Sequence, residues 1–359
     1  MPSDTELLDL PAGIGNVVSS VVWELLDRAH NVVTTINPSR AENATVNVRA
    51  GDTVKRTLSG LWLTPSDFAL VDVNADRIRP SWLLPGGTRY PLGVFMFSQA
   101  VRRPHTWGTS LDGTMYDQTV ILDQPRETSL SLAAGASVDA AIAQIVSGDG
   151  LSFPAVAIPT TNVTVASPIS WPAGDSRYAI LSGLFTLANL YPPFFDNNGV
   201  LTGKPVPPDL ARSGSYDHIY APGTASRVVR DSVAEADETI TAPNRYLVVD
   251  NGPTQEPIVA WYDIDPFWPH SFARRGYRVT KKVSVNGLAN STAAYDAAVR
   301  DALVDLNAGR TFIEFDSTPD PRHDIYQIVQ YGGISYREAA WSLRLRPGGP
   351  HSHSLTGLY

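Results

Sequence analysis

Residues 90–124 read YPLGVFMFSQAVRRPHTWGTSLDGTMYDQTVILDQ, a strand-like run, a polar bend and a second strand-like run, with no catalytic signature between them. Val94, Met96 and Ser98 alternate with Phe95, Phe97 and Gln99, so a pleated segment sets two phenyl rings on one face and mixed residues on the other. Gly108, Asp112 and Gly113 read as a turn ahead of Thr119–Leu122. The chemistry of this stretch is packing and pairing.

Upstream, after an ambiguous Val17–Arg28 segment, Ala44, Val46, Val48 and Ala50 alternate with Thr45, Asn47 and Arg49, and 53–63 continues in the same β-rich style. Several strands without a convincing helix predict an antiparallel barrel or sandwich over 1–125. Downstream, 126–217 changes character. Ser137 can cap a helix with Val138, Ala141, Ile142 and Ile145 inward, and Ser176 or Asp175 can cap another with Ile180, Leu181, Leu184, Phe185 and Ala188 on one stripe. Asn162–Ala166 alternates like a strand, Asn198-Gly199 signals a tight turn, and 204–214 reads as a linker, so a small α/β unit is expected.

Strands return over 218–346, at Arg245–Val249, Ile258–Tyr262, Tyr277–Val285, Thr311–Phe315 and Ala340–Leu345. One helix interrupts them, capped by Ser291 or Thr292, with Tyr295, Val299, Ala302, Leu303 and Leu306 on one face and its end near Gly309. A second β-barrel with a flanking helix is the reading, followed by a C-terminal tail over 347–359. The fold class is therefore mainly β with α+β character.

With 359 residues there is chain enough for two or three cores, and 43% hydrophobic against 18% charged residues fits a folded protein. The absence of Cys excludes disulfides, thiolate nucleophiles and Cys-rich zinc sites. Met1–Glu6 lacks the pattern of a secretory leader, and no run approaches ~18 apolar residues, so membrane insertion is not expected. A net charge of −8 opposes tight binding to nucleic acid but suits a channel that must pass DNA without holding it.

The order Arg79-Pro80, Gly86-Gly87, Tyr90–Phe95, Asp117-Gln118 and Ile121–Asp123 resembles the N-terminal barrel of the tail hub proteins of long-tailed bacteriophages, also called baseplate hub, tail-tip or minor tail proteins. The order of barrel, small α/β unit and second barrel extends the resemblance over most of the chain. It implies two tail-tube-like barrels per subunit and a homotrimer that adapts the sixfold tail tube and distal tail protein to a threefold tip. Implied further partners are the tape-measure protein and tail-tip or fibre proteins, with DNA passing through the lumen unbound. The implied place is the virion tail tip, after assembly in the host cytoplasm, and the implied role is structural rather than enzymatic.

The best cluster for chemistry is Ser317–Asp324, in which Asp320, His323 and Asp324 bring two carboxylates and an imidazole together. Pro319, Asp320 and Pro321 make a turn its simpler reading. His351 and His353 could face one way on an extended strand, but only two ligands are visible after Pro347–Pro350, so a flexible tail is expected and no metal. Glu235, Asp237 and Glu238 read as a solvated acidic face, and Arg102-Arg103, Arg274-Arg275 and Lys281-Lys282 as exposed doublets. No zincin, nucleophile-elbow or phosphate-loop motif occurs. Catalytic, cofactor and metal residues are thus expected to be none. The alternatives are a cell-wall hydrolase using Asp320, His323 and Asp324, or a carbohydrate- or receptor-binding module using the scattered Trp and Tyr.

Overall fold

A computed structural model describes residues 20–357, apart from 39–42, 85, 107, 149–150, 152, 207–215, 222–226, 230, 238–241, 251–257, 269, 285–287, 289 and 308–310. Its main feature is one 14-stranded sheet. The path runs Ala234–Asp237, Thr311–Ser317, His351–Gly357, Ile334–Arg344, Thr45–Arg49, Arg56–Leu63, Gly108–Asp117, Phe95–His105, Arg77–Leu83, Ser20–Leu26, Val32–Ile36, antiparallel throughout.

Among the described residues this sheet does not close into a barrel, and the expected pair of separate barrels is not seen as such. Strand Thr45–Arg49 pairs on one side with Arg56–Leu63 and on the other with Ile334–Arg344, matching Val46 to Leu343 and Val48 to Trp341. Both strands alternate apolar and polar residues in the same phase, so pairing buries one continuous face. Val46, Val48, Leu58, Phe95, Ile325, Tyr326, Trp341 and Leu343 accordingly share a single core.

The quoted stretch forms strands Phe95–His105 and Gly108–Asp117, with the reversal between them. Asp112 and Gly113 thus lie inside a strand rather than in a turn. Thr119–Leu122 is a short helix, not a strand, because the Asp117 carboxylate accepts from the Thr119 amide at 2.9 Å and turns the chain. The ambiguous N-terminal segment resolves as strand Ser20–Leu26.

Helices Val138–Ser147 and Arg177–Leu187 form as the apolar spacing predicts, and the Ser137 and Ser176 hydroxyls accept from Ala140 and Ala179 amides. They pack Ile142, Ile145, Ile180, Leu184 and Phe185 together. Asn162–Ala166 is not a strand; only Thr164 bridges, to Ser137. The hairpin between Phe194-Phe195 and Leu201-Thr202 turns through Gly199 at φ +78°. Of the expected linker, Pro205 bridges Leu190, while 207–214 lies outside the described residues.

The third region divides. Arg245–Asp250, Ile258–Asp263 and Thr280–Ser284 form their own three-stranded sheet, and helix Ser291–Asn307 packs on it rather than on a second barrel. The helix buries Ala294, Ala297, Ala298 and Ala302, whereas Tyr295 is exposed, because small side chains let the helix approach the sheet closely. Asn290 caps it instead of Ser291 or Thr292, its Oδ1 accepting from the Ala293 amide at 2.9 Å. The Leu303 and Leu306 side chains and Gly309 lie outside the described residues.

The expected C-terminal tail is also corrected. Residues 351–357 form a strand between Thr311–Ser317 and Ile334–Arg344, and the Pro-Gly-Gly-Pro run is the hairpin turn that brings it back, with Gly348 at φ +64°.

Candidate functional site

Four of the seven histidines meet inside the C-terminal end of the large sheet. His351 and His353 lie two apart on one strand, so both rings face the same side, and both are buried. In the neighbouring strand, a bulge between Glu338 and Ala340 shifts the alternation by one residue. Glu338 is thereby buried on the same side as Tyr336, Trp341 and Leu343. His218 and Tyr220 enter from strand His218–Tyr220, which pairs in parallel with Ile328–Tyr331. The Asp-Pro turn, as predicted, joins two strands, but it carries Asp320 and His323 into the interior.

Glu338 sits at the centre. Its Oε2 lies 2.7 Å from His323 Nδ1 and its Oε1 2.7 Å from His353 Nδ1. On the far side of these rings, His323 Nε2 is 2.9 Å from the Tyr220 hydroxyl and His353 Nε2 2.8 Å from Ser317 Oγ. The His218 and His323 rings stack with centroids 3.6 Å apart. Asp320 takes two hydrogen bonds from the Arg322 guanidinium, at 2.9 and 2.6 Å, and Arg227 lies 3.5 Å away.

Burial works against each charge here. It pushes the His323 and His351 rings well below the usual imidazole range, and burial together with the His351 ring takes His353 down to about 3. These rings are neutral at pH 7. Burial raises the Glu338 carboxyl, opposed by its bond to His353. For Asp320, burial alone would raise the carboxyl, but the Arg322 bond and the nearby His218 outweigh it and hold the group well below the carboxylate range.

The structure thus unites Asp320, His323, His351 and His353 but separates Asp324, which ion-pairs with Arg56 on the opposite side of the turn. His323 is fully buried and Asp324 pairs elsewhere, so the three side chains considered for a hydrolase do not meet in one open site among the described residues. Sequence reading missed His218, Tyr220 and Glu338. Glu338 gave one signal, a charge inside the otherwise half-buried 334–345 run; His218 and Tyr220 gave only an i, i+2 spacing.

The other candidates are peripheral. Glu235 is exposed on an edge strand, while the Asp237 side chain and Glu238 lie outside the described residues. Arg103 makes an exposed 3.5 Å pair with Asp112, and Lys281 a 2.9 Å pair with Asp301. A different surface stands out on the three-stranded unit, where Trp261, Phe267, Phe272 and Tyr277 are exposed. Arg245, Arg278 and Arg275 lie 5.6, 4.2 and 5.8 Å from the Trp261, Phe272 and Tyr277 ring centroids.

No protein-family model and no curated protein matches the sequence. Solved structures do. The chain is similar to a tail protein from Neisseria meningitidis, with a TM-score of 0.64 at 12% identity over 94% of this chain and 96% of that one. It is also similar to the 43 kDa tail protein of prophage MuSo2 from Shewanella oneidensis, with a TM-score of 0.58 at 11% identity over 94% and 98%. A third is prophage tail protein gp18 from Listeria monocytogenes, with a TM-score of 0.56 at 11% identity over 94% and 94%. The chain has the fold of phage tail proteins over nearly its full length.

Proposed function

We propose that the chain is a structural component of a phage tail, acting as a homotrimeric hub at the distal end that adapts the sixfold tube and distal tail protein to a threefold tip. The observation that carries this reading is the end-to-end fold match to tail proteins. Two features support it. Among the described residues, the large sheet ends in strands Val32–Ile36 and Ala234–Asp237 with no further partner, and Val32, Val33 and Glu235 are exposed there, as suits edges that neighbouring subunits cover. The aromatic and arginine surface around Trp261 and Phe272 has the composition of a protein interface core.

In this role the chain needs no reaction chemistry and no cofactor. The net charge of −8 lets DNA pass a lumen without being held. Tape-measure, distal tail and tip or fibre proteins are the partners proposed, and the virion tail tip, reached after assembly in the host cytoplasm, is the location. Electron cryo-microscopy of tails carrying a tagged copy tests this. Three copies at the distal end are expected; a tag found along the shaft or absent from particles contradicts the proposal.

A further inference from the structure

Two buried ring nitrogens of the histidine cluster have no hydrogen-bond partner. Gln327 Oε1 accepts from the Asp324 amide at 2.7 Å, which fixes the orientation of that side-chain amide. His218 Nε2, 3.0 Å from the same oxygen, must therefore be the donor, so in the neutral ring Nδ1 keeps the lone pair. That nitrogen is buried, has no hydrogen-bond partner, and faces Asp320 Oδ2 at 3.8 Å, an ion pair when the ring is protonated and two facing acceptors when it is neutral. His351 Nε2 is also buried without a hydrogen-bond partner; because its Nδ1 accepts from the Asp320 amide at 3.3 Å, Nε2 carries the proton of the neutral ring.

Glu338 adds a second constraint. A carboxylate only accepts, so its two 2.7 Å bonds place the proton of His323 and of His353 on Nδ1 and leave each Nε2 as a lone-pair donor. A carboxylate gripping the rear nitrogen of an imidazole is the arrangement that orients histidines toward a metal ion. Ligating atoms of His323, His351 and His353 lie within 4.8 Å of one another, as do those of His218, Asp320 and His323. A tetrahedral ion with bonds of about 2.0–2.1 Å needs them roughly 3.3 Å apart, so binding must draw the ligands together by up to about 1.5 Å.

We propose that this cluster is a buried site for a single divalent first-row transition-metal ion of the zinc type, ligated by nitrogens drawn from His218, His323, His351 and His353 with Asp320 as the available carboxylate. Glu338 holds two of the rings from behind. Neutral imidazoles with one carboxylate suit zinc and its neighbours rather than calcium or magnesium, which take oxygen ligands. Binding gives up the Tyr220 and Ser317 hydroxyl contacts. If His351 binds through Nε2, its ring proton moves from Nε2 to Nδ1, giving up the long 3.3 Å contact from the Asp320 amide. The ion would join the Asp-Pro turn to strands His218–Tyr220 and His351–Gly357, a structural clamp inside the proposed tail component, and the inference stands whether or not the tail role does.

The test uses the full chain without a polyhistidine tag, stripped with chelator and titrated with Zn²⁺, reading metal content per chain and thermal unfolding. About one ion per chain is expected, with a rise in Tm on the order of 5 °C at a hundredfold excess over Kd. Cobalt(II) added to the unaltered chain should give the visible absorption of a tetrahedral nitrogen site, a readout independent of whether any variant folds. His351→Gln and His353→Gln, or else His218→Gln, should weaken binding at least about tenfold, and which of them does so assigns the ligand set. His30→Gln, at a ring paired with Gln118 outside the cluster, should bind as before. A chain that takes up no zinc and shows neither the Tm rise nor the cobalt spectrum, or cluster variants that all bind as tightly as the original, would leave a hydrogen-bonded core and overturn the site.

Discussion

The fully buried guanidinium of Arg56 ion-pairs with Asp324, 268 residues away, while its Nε donates to Phe195 O at 3.0 Å and its Nη1 to Asn197 Oδ1 at 2.7 Å. One side chain thus joins the first strands of the large sheet, the hairpin after the second helix and the Asp-Pro turn.

Removing it should be costly. Arg56→Ala leaves Asp324 without its cation and two further acceptors without a donor, an expected loss of about 3–5 kcal/mol in denaturant unfolding. The double variant Arg56→Met with Asp324→Asn should lose less than the sum of the two single changes, since neither charge is then stranded. Additive losses would mean that the pair is not coupled.

Asp117 should make stability depend on pH. Burial lifts its carboxyl from 3.8 to about 6, so the folded protein holds this proton more tightly than the unfolded chain does. Its contribution is fully present below about pH 4 and is lost as pH rises through 6, a change on the order of 3 kcal/mol. The stability of the original chain relative to Asp117→Asn should therefore fall by about that amount between pH 4 and pH 7. A constant difference across that range would contradict the assignment.

Gly199 is required at its turn for two reasons. Its φ of +78° is in the left-handed region, and an added Cβ would lie 2.6 Å from Val94 Cγ2. Gly199→Ala should destabilise by about 1–3 kcal/mol, with the loss partly recovered in Val94→Ala, Gly199→Ala, where the 2.6 Å contact is gone while the 2.9 Å contact to residue 94 Cβ and the backbone strain remain. No recovery would mean that the Val94 methyl groups carry none of the cost.

The exposed aromatic surface should matter for assembly and not for folding. Phe267, 84% exposed, and Trp261, 53% exposed, contribute little to the core. Phe267→Ser with Trp261→Ser should shift stability by less than about 1 kcal/mol while weakening association with itself or with tail partners at least about tenfold, as expected for interface anchors. Unaltered association in sedimentation and co-assembly assays would remove this surface from the account.

Local pattern was legible where one residue's neighbours in sequence decide its fate. The Ser137 and Ser176 caps, the apolar stripes they open and the Asn198-Gly199 turn all carry their instruction within a few residues. What was not legible depends on pairing between distant segments. Val46 and Val48 signal a strand but not that Leu343 and Trp341 lie beside them, so separate N- and C-terminal units were expected where the described strands of both share one sheet. The histidine pair was misjudged for the same reason. Behind a Pro-Gly-Gly-Pro run, His351 and His353 resemble a tail, and only the flanking strands and the bulged Glu338 turn them inward.

The most direct test of the tail-hub account is the mass of the purified chain by light scattering, with negative-stain images of the same peak. The account predicts three times the 38.8 kDa of one chain and a threefold ring with a central hole. A compact monomer that stays monomeric at high concentration and does not bind a distal tail ring would contradict it.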